Sequence, residues 1–295
     1  IIGIGLIQKF YKPHSYFLNK MEIGIDLGGT KMAFALIDEN NNLIKKTVLE
    51  TAIHKGKDFM IEQIKEQINE FSKEYSITGI GFAVPGLFKN TTILDTPNVP
   101  ILNGVDLKKE LQLNIPLVLE NDGNCFTLAE NRIGAGRHTD NMIGFTLGTG
   151  VGAGIIINKK LYNGSNGKAG EISNTIFDIE SESIIFGAKE GTWDSILKGK
   201  SILKRHNKRG GNLEKTSEIW YTNNEMTEKT LKETAKLLAI FCHNTIRTFD
   251  PETIVIGGGA SHQKLIKETN KILENFKMQP IIKISSLGDN AGLFG

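Results

Sequence analysis

A strand running into a glycine turn occurs twice in this chain, 120 residues apart. Ile23-Gly-Ile-Asp-Leu-Gly-Gly-Thr-Lys31 aligns without a gap to Ile143-Gly-Phe-Thr-Leu-Gly-Thr-Gly-Val151. Between 23–37 and 143–157, six of fifteen positions are identical: Ile23/Ile143, Gly24/Gly144, Leu27/Leu147, Gly28/Gly148, Ala33/Ala153 and Ile37/Ile157. A tight hairpin explains one such segment. Two of them describe a duplicated domain whose glycine turns face one cleft, and the backbone N–H groups of such turns suit a polyphosphate held from both sides.

The 295 residues suffice for two domains, each with its own core. The division expected is 21–120 and 121–295. With 39% hydrophobic residues and 23% charged, the chain falls in the globular range, and no apolar run reaches the roughly 18 residues of a membrane span. A net charge of only +2, with lysines spread along the chain, lacks the basic footprint of a nucleic-acid binder. Cys125 and Cys242 lie far apart in apolar helical patterns, which argues against a disulfide framework and for a reducing cytoplasm. Residues 1–20 are read as a non-native leader and Met21 as the start, since the apolar opening has no basic stretch before it and no small-residue cleavage site after it. Residues 287–295 stop in a loop-to-helix signal, so the C-terminus is read as unfinished, with a last helix missing.

Strands are expected at 21–27, 32–37 and 43–50, followed by an amphipathic helix over 57–75 whose apolar positions Phe59, Ile61, Ile64, Ile68 and Phe71 keep a 3.6-residue period. Further strands are expected at 78–84, 116–119, 253–256 and 281–284, and helices at 105–111, 125–133, 193–198, 228–249 and 264–276. Recurrence of strand, glycine turn and helix in both halves makes the class α/β, with mixed sheets flanked by helices and a ligand site where strand ends meet across the cleft.

Asp26-Leu-Gly-Gly-Thr-Lys31 joins two strands, unlike a phosphate loop that opens a helix. Gly28 and Gly29 allow close backbone approach to a phosphate, while Thr30 and Lys31 supply a hydroxyl and a positive charge. Gly148, Thr149, Gly150 and Gly152 form a denser run suited to the terminal phosphates. Gly257-Gly258-Gly259 sits between a buried strand and a helix, where either a flat ring against the backbone or plain helix-to-strand packing accounts for it. Asp122 follows Glu120-Asn121 at a strand end and a helix start. It reads either as an N-cap or as the general base that takes a hydroxyl proton during attack on the terminal phosphorus. Glu171, in a glycine- and asparagine-rich loop, reads as an acceptor for two neighbouring sugar hydroxyls or as an ordinary exposed carboxylate.

Asp26-Leu-Gly-Gly-Thr-Lys31, Ala83-Val-Pro-Gly86, Glu120-Asn-Asp122, Leu147-Gly-Thr-Gly-Val-Gly-Ala-Gly154, Gly170-Glu171 and Ile256-Gly-Gly-Gly259, in this order and spacing, resemble the sugar kinases of the ROK family (repressor, open reading frame, kinase) from Met21 to Gly295. The resemblance implies an actin-like, ribonuclease H-like duplicated fold, ATP with Mg²⁺, phosphorylation of a hexose or N-acetylhexosamine at its 6-hydroxyl, and a homodimer. It makes Asp122 the base, Asn121 and Glu171 sugar ligands, and Asn103 with Gly104 part of the loop that touches the sugar.

The chain departs from the family pattern where a His and three Cys normally hold a structural zinc. Asn174 stands in the His position, and no Cys or His occurs between Leu161 and Gly199, so no zinc site with N and S ligands is expected from this loop. Packing by Phe186 and Trp193 is expected to replace it. The nearest match to the family's second sugar-binding Glu is Asp194, reached with one extra residue. Loss of the cluster resembles a bacterial branch that includes N-acetylmannosamine kinases of sialic acid breakdown, with glucose or N-acetylglucosamine as the alternatives. A repressor of the same family or an actin-like ATPase are the competing classes. Entry into the first strand at Met21 leaves no room for a helix-turn-helix, and an ATPase has no use for Glu120-Asn-Asp122 beside a sugar loop.

Overall fold

The computed structural model describes residues 20–178, 190–277 and 281–295. Strands β1 (Lys20–Leu27), β2 (Lys31–Asp38) and β3 (Leu43–Glu50) make an antiparallel meander. Helix α1 (Lys57–Ser72) returns the chain to β4 (Ser76–Val84), parallel to β1. A small hairpin, β5 (Leu87–Lys89) and β6 (Thr92–Asp95), and helix α2 (Leu107–Leu111) lead to β7 (Leu117–Asn121), parallel to β4. Helix α3 (Asp122–Arg132) then enters a second meander, β8 (Met142–Leu147), β9 (Val151–Ile157) and β10 (Lys160–Leu161). Helices α4 (Trp193–Leu197), α5 (Gly199–Lys208), α6 (Thr216–Tyr221) and α7 (Glu225–Phe249) precede β11 (Thr253–Gly257), α8 (Gln263–Asn275), β12 (Ile281–Ile284) and α9 (Ala291–Phe294).

The two five-stranded sheets run β3-β2-β1-β4-β7 and β10-β9-β8-β11-β12. Each is a meander with two parallel strands added on the far side of its first strand, so the duplication read from two glycine turns extends to a whole sheet. The molecule is α/β with mixed sheets flanked by helices, as expected.

The gapless alignment holds only up to the turns. In the first meander Leu27 lies opposite Met32, but in the second Leu147 lies opposite Val151, because the second turn is one residue shorter. Phe34 therefore corresponds to Ala153, and the Ala33/Ala153 and Ile37/Ile157 identities fall on opposite faces of their sheets. Phe34 and Ala153 both point into the core of their own sheet, while Ala33 and Ile37 face the other side.

Helix α1 buries Met60, Ile61, Ile64, Ile68 and Phe71 against the first sheet, each worth about 1.5–3 kcal/mol of transfer free energy. Phe59, expected in that stripe, lies exposed under the Lys55 ammonium, whose Nζ is 4.4 Å from the ring centroid, and Met60 takes its place. Sequence patterning missed the β5–β6 hairpin, α5 and α6, which are too short or too polar to show a period.

Helix α3 follows the last strand of the first sheet yet packs on the second, where Phe126 and Ala129 join Met142, Ile156 and Val255. Helix α9, which follows the last strand of the second sheet, returns to the first, where Leu293 joins Ala33, Ala35 and Ile37. Each half thus lends a helix to the other, and the sheets close around a shared cleft. The carboxylate of Glu130, fully buried on α3, secures this exchange by accepting the Ala135 N–H at 2.7 Å, the Leu287 N–H at 3.0 Å and the Ser285 hydroxyl. A buried carboxylate is tolerable only with such partners.

Candidate active site

Three glycine turns end strands of the two sheets, Gly28–Lys31 in the first and Gly148–Gly150 and Gly257–Gly259 in the second. In the first, the Gly28 N–H donates to the Lys31 carbonyl at 3.0 Å. The buried Thr51, absent from the sequence reading, latches the turn from outside: its hydroxyl donates to the Gly28 carbonyl at 2.6 Å and its N–H to the Thr30 carbonyl at 3.0 Å. With the carbonyls engaged there, no protein acceptor meets the Gly29 or Thr30 N–H among the described residues, and Lys31 is exposed beside them. The second turn closes with Gly148 N–H to Gly150 carbonyl at 2.9 Å, leaving Thr149 and Gly150 exposed, while the Gly152 N–H donates to Thr146 Oγ1 at 3.2 Å.

The third turn rests directly on the second. The Ala260 N–H donates to the Leu147 carbonyl at 2.8 Å, and Gly258 adopts φ 86° so close to Leu147 that a Cβ there would lie 2.5 Å from its carbonyl oxygen. Gly199, at the start of α5, donates to the Gly148 carbonyl at 2.9 Å, so a fourth glycine the sequence did not single out joins the same wall. Gly148–Gly150 and Gly257–Gly259 are therefore one surface, whereas Gly28–Lys31 belongs to the other sheet.

Asp122 opens α3. The cap of α3 is Asn121, whose Oδ1 accepts from the Gly123 N–H at 2.9 Å and the Asn124 N–H at 3.4 Å. The helix therefore begins three residues before the expected Cys125, and Asp122 is freed from capping to sit in the first turn. Gly123 has no room for a side chain, since a Cβ would lie 2.8 Å from the Ala153 backbone, and this contact pins the Asp122 turn against β9. Burial pushes the Asp122 carboxyl above the ordinary carboxylate range, opposed by the Gly123 N–H and reinforced by the negative charge of Glu171. Asp26, at the end of β1, is pushed up to about 6, first by burial and then by Asp122, with Lys31 and Lys46 pulling the other way.

Further residues expected to meet a sugar fall in two other segments, 103–104 and 171–174. Asn103 is exposed and braced by the hairpin beside it: its Oδ1 accepts the Thr96 N–H at 2.8 Å and its Nδ2 donates to Asp95 at 3.3 Å. Gly104 follows at φ 80° with its N–H on the Ile93 carbonyl at 2.7 Å. Glu171 and Asn174 share one 3₁₀ turn, both exposed, and the Asn174 amide donates to Glu171 Oε2. Glu171 lies near enough to Asp122 for its negative charge to raise that carboxyl.

Asp194, expected to meet the sugar, is engaged by the protein: its Oδ1 accepts the Val151 N–H at 2.8 Å and its Oδ2 pairs with Lys198 Nζ at 3.2 Å, so this buried carboxylate braces the second glycine turn. Trp193 is buried, with ring centroids 4.9 Å from Phe177 and 5.4 Å from Phe241. The Phe177 N–H donates to the Gly191 carbonyl at 2.9 Å and the Trp193 N–H to the Thr175 carbonyl at 3.3 Å, which fastens the loop at its base. Phe186 and the rest of 179–189 lie outside the described residues, as do 1–19 of the expected leader.

Among the described residues no three His, Cys, Asp or Glu side chains are grouped to hold a metal ion. Mg²⁺ in nucleotide enzymes takes one or two carboxylates and completes its shell with phosphates and water. Asp26 and Asp122, whose clustering already disfavours two bare charges, fit that donor set.

The sequence profile of the ROK family matches residues 22–295. An N-acetyl-D-glucosamine kinase of Vibrio parahaemolyticus is 30% identical over 297 residues, covering 93% of this chain and 98% of that protein. Among solved structures, a ROK family glucokinase from Streptomyces griseus, in complex with glucose and AMPPNP, superposes with a TM-score of 0.78 at 23% identity over 93% of this chain and 97% of that one. A Listeria monocytogenes protein to which N-acetylmannosamine kinase activity is provisionally ascribed has a TM-score of 0.78 at 25% identity, covering 93% and 96% of the two chains. With its profile spanning both sheets and all three glycine turns, the chain belongs to the ROK family.

Proposed function

We propose that this protein is an ATP-dependent sugar kinase that phosphorylates the 6-hydroxyl of a hexosamine, with N-acetylmannosamine as its substrate in sialic acid breakdown. The observation that carries the reading is Asp122, buried in the first turn of α3 with Gly123 against β9, and within electrostatic reach of both Asp26 before the first glycine turn and Glu171 in the expected sugar loop. Such an arrangement serves in-line phosphoryl transfer, in which the protein contributes positioning and charge stabilisation.

In this scheme the N–H groups of Gly29 and Thr30 in the first turn and of Thr149 and Gly150 in the second cradle the phosphates of ATP, and Gly257–Gly259 offers a flat backbone surface to the adenosine. Asn121, Glu171 and Asn174, with Asn103 and Gly104 from the facing hairpin, hold the sugar. Asp122 accepts the proton of the 6-hydroxyl as that oxygen bonds to the γ-phosphorus. The bond from the γ-phosphorus to the bridging oxygen breaks, and ADP leaves with that electron pair. The raised proton affinity of Asp122 suits a base that must hold the proton through the transition state. Mg²⁺, held through Asp26 with phosphates and water completing its shell, would supply charge neutralisation on the phosphates and leave Asp122 free to take the proton.

The choice of N-acetylmannosamine is supported by the departure at Asn174 and by the likeness to the Listeria protein; glucose and N-acetylglucosamine are the alternatives. A cytoplasmic location accords with two buried free thiols, and no helix among the described residues is long and apolar enough to cross a membrane. A homodimer is proposed from family resemblance alone.

The test is ADP release with Mg-ATP across N-acetylmannosamine, N-acetylglucosamine, glucose, mannose and no sugar. Preference for N-acetylmannosamine supports the whole reading. Preference for another sugar overturns the specificity and keeps the mechanism. Release independent of sugar, or sugar binding without turnover, overturns the kinase reading in favour of an ATPase or a repressor.

A further inference from the structure

Glu120 belongs to the cluster that marks the base, yet the phosphoryl-transfer scheme gives it no part. It is half-buried at the end of β7, and its two oxygens reach three different segments. Oε1 accepts the Asn121 N–H at 2.9 Å and the Asn124 Nδ2 at 2.9 Å. Oε2 accepts the Asn163 Nδ2 at 3.3 Å, and Asn124 Nδ2 donates a second bond to Asn163 Oδ1 at 3.3 Å. Asn163 lies just past β10 and closes the loop before the sugar turn, since the Ala169 N–H donates to its carbonyl at 3.2 Å and Gly170 and Glu171 come next. Asn124 is 3% exposed and leaves its Oδ1 unpartnered, so the amide is aimed by what its Nδ2 must reach.

We propose that Glu120 is a positioning residue that locks the loop carrying Glu171 onto the N-terminus of α3, so that the sugar-binding turn and the base keep one geometry. One end of the bridge closes the last strand of the first sheet and the other lies just past the edge strand of the second, so the bridge ties the 163–169 loop to the N-terminus of α3. The Glu120 carboxylate accepts every bond it makes and Asn163 offers its donor to it, which fixes the amide of Asn163 in one orientation. This rests on the functional reading for the identity of the turn as the sugar site, but the bridge is testable without any sugar.

The experiment exchanges the charge across the bridge. Asn163→Asp sets two carboxylates against each other; Glu120→Gln sets a donor against a donor; combined, they restore a donor-to-carboxylate bond and leave an acceptor for Asn124. Hydrogen–deuterium exchange of the ligand-free protein is read over 163–174, together with KM for ATP and for N-acetylmannosamine, N-acetylglucosamine and glucose in turn. Each single variant is expected to speed exchange in that segment on the order of tenfold and to raise the sugar KM with the ATP KM unchanged, and the double variant to restore both to within about threefold of the parent. Additive loss in the double variant, unchanged exchange in the singles, or equal rises in both KM values overturns the proposal. Should no sugar be turned over by the parent, the functional reading falls, while the exchange pattern still decides the bridge.

Discussion

The Asp122 carboxylate, at the first turn of α3, bears on that of Asp26 at the end of β1: with burial as the larger cause, the pair pushes Asp26 up to about 6. Two acids from opposite sheets are thus held together in a partly dry cleft before any ligand arrives. Clustered, desolvated carboxylates of this kind cost stability and mark functional sites.

That cost has a definite sign. Asp26 binds its proton more tightly in the folded chain than at its ordinary value of 3.8, so from there to about 6 the folded state holds more protons than the unfolded one and stability falls as pH rises. Asp26→Asn is expected to raise the ligand-free Tm at pH 7.5 by roughly 2–4 °C and to make no difference near pH 4. Scanning calorimetry of both proteins across that window checks it, and an equal effect at both pH values contradicts the assignment.

Asp122→Asn keeps shape and removes the proton acceptor. Turnover should fall on the order of 10²–10⁴-fold while sugar affinity by calorimetry stays within a few-fold. In the parent enzyme, kcat/KM should drop as pH falls through the base's titration, and this acid limb should lie above the ordinary carboxylate range because burial raises Asp122. Appreciable turnover in the variant removes Asp122 from the role.

Asp194→Ala leaves the Val151 N–H and the Lys198 ammonium without their carboxylate. The loss should cost about 2–4 kcal/mol of unfolding free energy and raise the KM for ATP well above any change in the sugar KM. A selective rise in the sugar KM would return Asp194 to the sugar pocket.

Gly258→Ala and Gly259→Ala form a matched pair. The first forces a Cβ to 2.5 Å from the Leu147 carbonyl at φ 86°, whereas the second meets nothing within 4 Å. The first is expected to lose about 2–4 kcal/mol and the second under about 1 kcal/mol in urea titrations.

The glycine turns were legible because close backbone approach leaves a local mark in glycine itself, and Asp122 because a polar triplet directly after an apolar strand has few structural uses. Thr51 and Gly199 left no such mark: Thr51 acts through two bonds and Gly199 through one, each to a turn distant in sequence. The Asp194 contacts to Val151 and Lys198 were not legible because a count of residues along a loop says nothing of where the loop turns. The Phe59 position went to Met60 because a helical stripe several residues wide admits either neighbour.

By itself the sequence determined the duplication, the α/β class, most strands and long helices, and the turns around the cleft, since hydrophobic period and turn chemistry are properties of neighbouring residues. The tertiary structure decided the one-residue offset between the two meanders, the exchange of α3 and α9 between sheets, the Asp26–Asp122 pair and the Glu120–Asn163 bridge. These depend on which distant segments pack together, and packing in a dense interior is settled by complementary shape and by partners for buried polar groups, for which no single stretch of chain holds the information.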